Sequence, residues 1–228
     1  MVRKELYMAG FDFESFLQSP EYGDTRIAVG RASEGNIEKD AHVYHVITKS
    51  NDGGSIFYKE VGDYRHTLLC KLCDEKRITI LFSVTMPNHT HDVFLTPDWE
   101  LLPAVIRNLN MNITKFLRKR FPSRYKPGLR ILRRYPVYVP VRSVADLFYI
   151  GKYIYDNPAY LRAEGKYVPH TCFWMFDKNY FPGGYDGSIY MKLFNLTPQE
   201  LLEKYEKLTA QQIREYAFKA FPDSPLSF

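Results

Sequence analysis

Residues 86–94 read Met86-Pro87-Asn88-His89-Thr90-His91-Asp92-Val93-Phe94, and the rest of the chain is arranged around this stretch. Successive side chains of an extended strand point to opposite faces, so His89 and His91 would share one face. Neutral imidazole is the commonest protein ligand for metal ions, and the pair can offer two nitrogens to one divalent ion. A bare His-x-His arises by chance in roughly one chain in six of this histidine content, so the pair alone does not exclude structural histidines.

The segments on either side alternate between strand and helix patterns. The predicted elements, in chain order, are a strand at 42–49, a helix at 58–74, strands at 77–84 and 89–96, a helix from 97 to about 117 and a strand within 129–141. Thr96-Pro97 is typical of an N-cap with proline at the first helical position, and Pro136 and Pro140 suit an edge strand.

This order of elements predicts an α+β fold built on a ferredoxin-like antiparallel sheet, βαββαβ. In such a sheet the His89 strand is central and both helices lie on one face. The other face would be open, and a metal ion held by the two histidines could sit there.

Positive charge is concentrated in one segment of a chain whose net charge is only +5. This basic segment, residues 115–142, has no acidic residue. Its basic residues are Lys115, Arg118, Lys119, Arg120, Arg124, Lys126, Arg130, Arg133, Arg134 and Arg142. Such asymmetry indicates a polyanionic partner, although a solvated basic face is the alternative. Tyr125, Tyr135 and Tyr138 lie among the arginines and could stack on unpaired bases. The combination favours nucleic acid.

Composition excludes several classes of protein. The chain has 228 residues, 45% of them hydrophobic and 25% charged, which is ordinary for a folded protein of one or two domains. We expect a cytoplasmic protein, since no apolar run approaches membrane-spanning length and the N-terminus lacks the apolar core of a signal peptide. Cys70 and Cys73 form a C-x-x-C inside a helical pattern, where reduced, half-buried thiols are favoured over a zinc or redox site.

Three motifs together resemble the single-tyrosine HUH transposases, most closely the REP-associated tyrosine transposases. They are Met-Pro-Asn-His-x-His at 86–91, Tyr44-His45-Val46-Ile47, and Tyr153-Ile154-Tyr155-Asp156-Asn157-Pro158. The resemblance runs from about Tyr44 to about Gly165. Two positions depart from the family, which usually has apolar residues where this chain has Thr90 and Asp92. Both should face away from the metal side, toward the covered face of the sheet.

The resemblance implies a nucleophile and a metal site. Tyr149, Tyr153 and Asn157 would share one face of a helix that starts at Ser143 and that Pro158 should end. The family's nucleophile corresponds to Tyr153, its metal ligands correspond to His89, His91 and Asn157, and the ion would be Mg²⁺ or Mn²⁺.

The activity implied is transposition by cleavage and rejoining of single-stranded or hairpin DNA through a 5′-phosphotyrosine link. A catalytically inactive, domesticated protein that only binds DNA hairpins is the main alternative. A relaxase or replication initiator with the same chemistry is disfavoured, and an unrelated metallohydrolase is the least favoured.

Three regions follow from this interpretation. Residues 1–40 form an appendage of unknown role, residues 41–165 the catalytic domain, and residues 166–228 a C-terminal extension. The extension has two short helices, which would begin at the boxes Thr197-x-x-Glu200 and Thr209-x-x-Gln212. Because only a short connection joins the last strand to the Tyr153 helix, we expect a monomer whose tyrosine serves its own sheet.

Overall fold

The elements of the computed structural model follow the predicted βαββαβ order, with additions at both ends. The structure describes residues 30–31, 43–141, 144–163 and 196–208. Its elements are β1 (Gly30–Arg31), β2 (Val43–Lys49), α1 (Lys59–Glu75), β3 (Thr79–Thr85), β4 (His89–Leu95), α2 (Leu101–Arg120), β5 (Val137–Pro140), α3 (Val144–Ala163) and α4 (Pro198–Lys207). The rest of the predicted appendage, the Ser143 cap and the second C-terminal helix lie outside the described residues.

The five strands form one antiparallel sheet in the order β1-β5-β2-β4-β3. The histidine strand β4 therefore lies inside the sheet, between β2 and β3, as predicted. The expectation that β5 is an edge strand is only partly right, because β1 pairs with it through Gly30↔Tyr138 and Arg31↔Val137. A two-residue strand from the N-terminal region thus extends the four-stranded unit.

The two faces of the sheet carry different side chains. Tyr44, Val46 and Phe94 point to one face and are buried in a core with α1 and α2, so these two helices share a face as predicted. The opposite face carries the histidines and is not open, because α3 lies over it next to β3. The apolar side chains of α3, such as Phe148 and Ile154, are fully buried, and removing them from water favours this packing.

Two predicted helix boundaries are wrong. The Thr96 hydroxyl accepts from the Asp98 amide at 3.3 Å and donates to its carbonyl at 2.6 Å, which forms a local turn, and the helix begins only at Leu101. Threonine can cap such a turn as readily as it caps a helix. Pro158 does not end α3, which continues to Ala163. Proline removes one backbone hydrogen bond, and a well-packed helix can continue through it.

Thr90 and Asp92 point to the face of the sheet that α1 and α2 cover, as the strand alternation predicts. A polar network on that face explains these two departures from the family. The buried guanidinium of Arg65, on α1, is paired with the Asp92 carboxylate. Asp92 also accepts from Ser83 Oγ at 2.7 Å and from Thr90 Oγ1 at 3.1 Å, while Arg65 donates to Thr85 Oγ1 at 3.2 Å. A satisfied polar network therefore stands where the family usually has apolar packing.

Helix α4 begins at the predicted capping box and packs on α3. Thr197 Oγ1 accepts from the Glu200 amide at 3.3 Å, and the Glu200 carboxylate accepts from the Thr197 amide at 2.7 Å. The Tyr205 ring lies 4.8 Å from that of Phe148 and 5.8 Å from that of Tyr155. These contacts hold α4 against the helix that carries Tyr153.

Cys70 and Cys73 are structural thiols of α1. Both are free and buried, and burial raises the pKa of the Cys70 thiol to about 11 and that of Cys73 well above its usual value. Thiols that stay protonated at neutral pH are poor nucleophiles, and the two side chains are buried rather than half-buried as predicted. Among the described helices, none has the length and apolarity needed to cross a membrane.

Candidate active site

Three histidines meet on the face of the sheet that α3 covers. The register pairs Lys49 with His89 and Ile47 with His91, so His45, two residues before Ile47, points to the same side as both. The Nε2 atom of His45 lies 2.9 Å from Nδ1 of His91, and the ring centroids of His89 and His91 are 4.8 Å apart. His45 and His91 are fully buried, while His89 is partly exposed.

The Nε2 atoms of the two predicted ligands, His89 and His91, make no hydrogen bond within the described part of the chain. Nδ1 of His89 lies 2.7 Å from the amide oxygen of Asn88, whose amide nitrogen donates to the Gly53 carbonyl at 3.0 Å. An amide oxygen can only accept, so the His89 proton is on Nδ1 and its Nε2 carries a lone pair. Within the described part of the chain, Nε2 of His89 and Nε2 of His91 are buried without a hydrogen-bond partner. Two such nitrogens on one face fit a divalent ion.

Burial keeps these histidines neutral. It lowers the pKa of His45 to about 3, and burial together with the nearby Lys49 charge lowers that of His89 to about 4. The pKa of His91 falls well below its usual value, through burial first and then through His89, His45 and Lys49. Neutral imidazole is the form that binds metal, so no proton has to be displaced near pH 7.

The ligand set is incomplete in the described residues. They contain no group of three or more His, Cys, Asp or Glu side chains that could hold a metal ion. The third predicted ligand, Asn157, is on α3, but its side chain lies outside the described residues. Its role stays a prediction.

Tyr153, on α3, lies against His91. Its ring meets that of His91 edge to face, with centroids 5.3 Å apart, and it is 4% exposed. Tyr149, one turn earlier, is also buried, whereas Tyr155 packs against Tyr205 in α4. Tyr153 and Tyr155 therefore point to different sides of α3, as the helical periodicity predicts.

Part of the basic segment runs beside β2 at the His89 end of the sheet. The Arg133 amide donates to the Lys49 carbonyl at 2.9 Å, the Asn51 amide donates to the Ile131 carbonyl at 2.8 Å, and Ser50 bridges to Leu132. We call the exposed residues Arg130, Arg133 and Arg134 the edge arginines. The Lys49 side chain shares the face of His89, and its pKa is lowered by burial and by the charge of Arg133. Cations are thus gathered near the candidate ligands.

The remaining basic residues lie at the end of α2 and in the loop after it. Arg118 donates to the Leu129 carbonyl at 3.0 Å, Arg120 pairs with Glu60 at 2.8 Å, and Arg124 donates to the Ser55 carbonyl at 3.1 Å. The three lysines of this group are exposed, namely Lys115, Lys119 and Lys126. Arg142 lies outside the described residues. The Arg118 contact to Leu129 places the end of α2 next to the edge arginines in the folded chain.

The expectation that three tyrosines of this segment stack on bases is wrong for two of them. Tyr125 is 5% exposed and Tyr138 is 2% exposed, and both belong to the core formed with α1 and α2. Tyr135 is 44% exposed, and the Arg134 guanidinium lies 5.0 Å from its ring centroid. Of these three tyrosines, Tyr135 alone offers an accessible ring.

From the sequence, His45 is part of a motif without an assigned role, and Lys49 and Asn88 have no assigned role either. The signal for the first two was available, because His45 and Lys49 are two residues on either side of Ile47 and so share its face. The alternation of side chains along β2 could not show that β4 pairs with it and brings its histidines next to His45 and Lys49.

Comparison with known proteins gives one family match and a distant structural match. The family model described as "Transposase IS200 like" matches residues 38–155, just over half of the chain. A solved structure of a REP-associated tyrosine transposase bound to a REP hairpin matches with 17% sequence identity and a TM-score of 0.46, covering 56% of this chain and 73% of the other. No curated protein matches the chain.

Proposed function

This chain belongs to the IS200-like transposase family, and from that premise we propose that it cleaves and rejoins single-stranded or hairpin DNA. Tyr153 is the nucleophile, and His89 and His91 hold a divalent ion. The proposal rests on one observation. The buried Nε2 atoms of two neutral histidines and the Tyr153 ring lie on the same face of the sheet.

The reaction is a phosphodiester exchange that conserves bond energy. Tyr153 Oη attacks the phosphorus, the bond from phosphorus to the 3′-oxygen breaks, and the phenolic proton is replaced by the new 5′-phosphotyrosine bond. The departing 3′-oxygen takes up a proton and becomes a hydroxyl, which can later attack the link and restore a DNA strand. No ATP is needed, because one phosphodiester replaces another.

A phenol needs assistance, since only about one in a thousand is ionised at pH 7. A bound divalent ion would polarise the scissile phosphate and stabilise the charge that develops as the bond breaks. His89 and His91 would hold it through Nε2, and Asn157 would add an oxygen. Nitrogen and oxygen ligands suit Mg²⁺ or Mn²⁺, and the latter tolerates imidazole better.

The cations near His89 support a nucleic-acid substrate. Lys49 lies on the histidine face, and the edge arginines continue from it along the side of the sheet. A DNA strand that follows them reaches His89, the partly exposed histidine, with its phosphates against positive charge. The exposed Tyr135 ring between these cations and β5 adds a surface on which a base can stack.

The departures at Thr90 and Asp92 do not favour the alternative of an inactive hairpin-binding protein. Both side chains are on the face covered by α1 and α2, where Arg65 donates to Thr90 and pairs with Asp92. The histidine face is left with its two ligands and its tyrosine. The active form is therefore preferred over the domesticated one.

The test is formation of a covalent adduct. We expect the full chain, incubated with labelled single-stranded hairpin DNA and Mn²⁺, to give a protein–DNA band that survives denaturation. Tyr153→Phe should abolish the band and leave DNA affinity within a few-fold, while Tyr155→Phe is the matched control and should keep it. A band that persists in Tyr153→Phe and disappears in Tyr155→Phe would reassign the nucleophile.

Metal use is tested separately. His89→Ala with His91→Ala should remove Mn²⁺ binding in calorimetric titration and remove cleavage, because both ring nitrogens are lost. Unchanged Mn²⁺ affinity in the double variant would show that the pair is structural.

A further inference from the structure

We propose that His45 is a positioning residue that holds His91 in the tautomer needed for metal binding, by accepting a hydrogen bond from its Nδ1–H. This inference rests on the proposed function, in which His91 binds the ion through Nε2. It assigns a role to a side chain on a neighbouring strand that the reaction itself does not use.

The polarity of the contact follows from ligand chemistry. A metal ligand nitrogen must carry a lone pair, so binding through Nε2 places the His91 proton on Nδ1. The atom 2.9 Å from Nδ1 is Nε2 of His45. That atom must therefore accept, and the proton of neutral His45 is on Nδ1. The opposite polarity would put a proton on the His91 nitrogen that faces the ion.

Burial makes the contact effective. Both rings are fully buried, so water does not compete for Nδ1 of His91. The two rings come from strands paired directly in the sheet, and the backbone register holds them at this distance. The contact sets both the tautomer and the direction in which Nε2 points.

His89 is oriented in the same way, by a neutral acceptor at its Nδ1. This similarity makes a chance contact at His91 a weaker explanation. Its Nδ1–H donates to the Asn88 amide oxygen, and Asn88 is anchored on the Gly53 carbonyl. Each candidate ligand thus offers Nε2 to the site and has its Nδ1 bound by a neutral acceptor. Neutral acceptors orient the rings without cancelling the charge that the ion presents to a phosphate.

The first measurement is calorimetric titration of the full chain with Mn²⁺ alone. We expect His45→Phe, which fills the same space without an acceptor, to weaken Mn²⁺ binding by about 10- to 100-fold. His45→Gln should restore affinity to within a few-fold, because its amide oxygen reaches about as far as Nε2. His66→Phe, on α1, is the matched control and should bind as the wild type does.

The second measurement observes the tautomers directly and needs no variant. Nitrogen NMR of the ¹⁵N-histidine-labelled wild type with Mg²⁺ should show the proton of His91 on Nδ1 and that of His45 on Nδ1. A proton on Nε2 of His45 overturns the inference, even if every His45 variant fails to fold.

The possible results distinguish a failure of the His45 role from a failure of the metal site. Wild-type Mn²⁺ binding that His45→Phe leaves unchanged would overturn the role of His45 and leave the metal site standing. Absence of Mn²⁺ binding by the folded wild type would overturn the metal site itself, and the inference with it.

Discussion

Replacing Asp92 by Ala should destabilise the protein strongly, although Asp92 is on the face away from the reaction. The change removes the carboxylate that pairs with Arg65, and both side chains are buried, with exposures of 2% and 0% for arginine and aspartate. A buried ion left without its partner costs about 3–5 kcal/mol. Total stabilities are about 5–15 kcal/mol, so the variant should lose a large share of its stability.

The structure also sets the expected double-mutant cycle. Arg65→Met combined with the same Asp92→Ala removes both charges, so no buried ion is left unpaired. The hydroxyls of Ser83 and Thr90 lose an acceptor in that variant and the Thr85 hydroxyl loses a donor, at about 1 kcal/mol each. We expect the double variant to be destabilised by about 3 kcal/mol, less than the sum of the two single changes, which gives a coupling energy of several kcal/mol.

The assay is equilibrium unfolding in urea, with free energies compared at constant m-value. Arg120→Ala is the matched control, because its partner Glu60 is exposed and such pairs contribute about 0–1 kcal/mol. If Asp92→Ala cost no more than this control, the idea that Arg65 and Asp92 form a buried, mutually dependent pair would be refuted.

Three other predictions follow from the site. Because the folded-state pKa values of His45 (about 3), His89 (about 4) and His91 lie below the usual value, the unfolded chain takes up more protons in acid than the folded chain does. Stability should therefore be full above pH 6.5 and fall as the pH is lowered toward 4, and a flat urea-unfolding profile over this range would contradict the burial of these rings. Changing the three edge arginines to Ala should reduce the slope of log affinity against log salt for single-stranded DNA by roughly 0.7 for each lost phosphate contact, and an unchanged slope would leave them a solvated surface. Mixing Tyr153→Phe with the His89→Ala, His91→Ala protein should not restore the adduct if the tyrosine serves its own sheet, and recovery would show an exchanged helix.

The sequence by itself determined the order of elements and the faces of the central strand. Strand alternation placed His89 and His91 on one side and Thr90 and Asp92 on the other, and helical spacing separated Tyr153 from Tyr155. The capping box at Thr197 likewise predicted a helix start. These features depend on neighbours within a few residues, so local geometry is enough to specify them. The predicted resemblance to tyrosine transposases is confirmed at the level of the IS200-like family.

The tertiary structure decided what each of those faces meets. His45 and His91 are 46 residues apart, and Arg65 and Asp92 are 27 apart, so no local pattern could pair them. The covering of the histidine face by α3 and the burial of Tyr138 have the same origin. Alternation states which way a side chain points, whereas its partner depends on strand register and on which helix packs there. Those are settled by the free energy of the whole core.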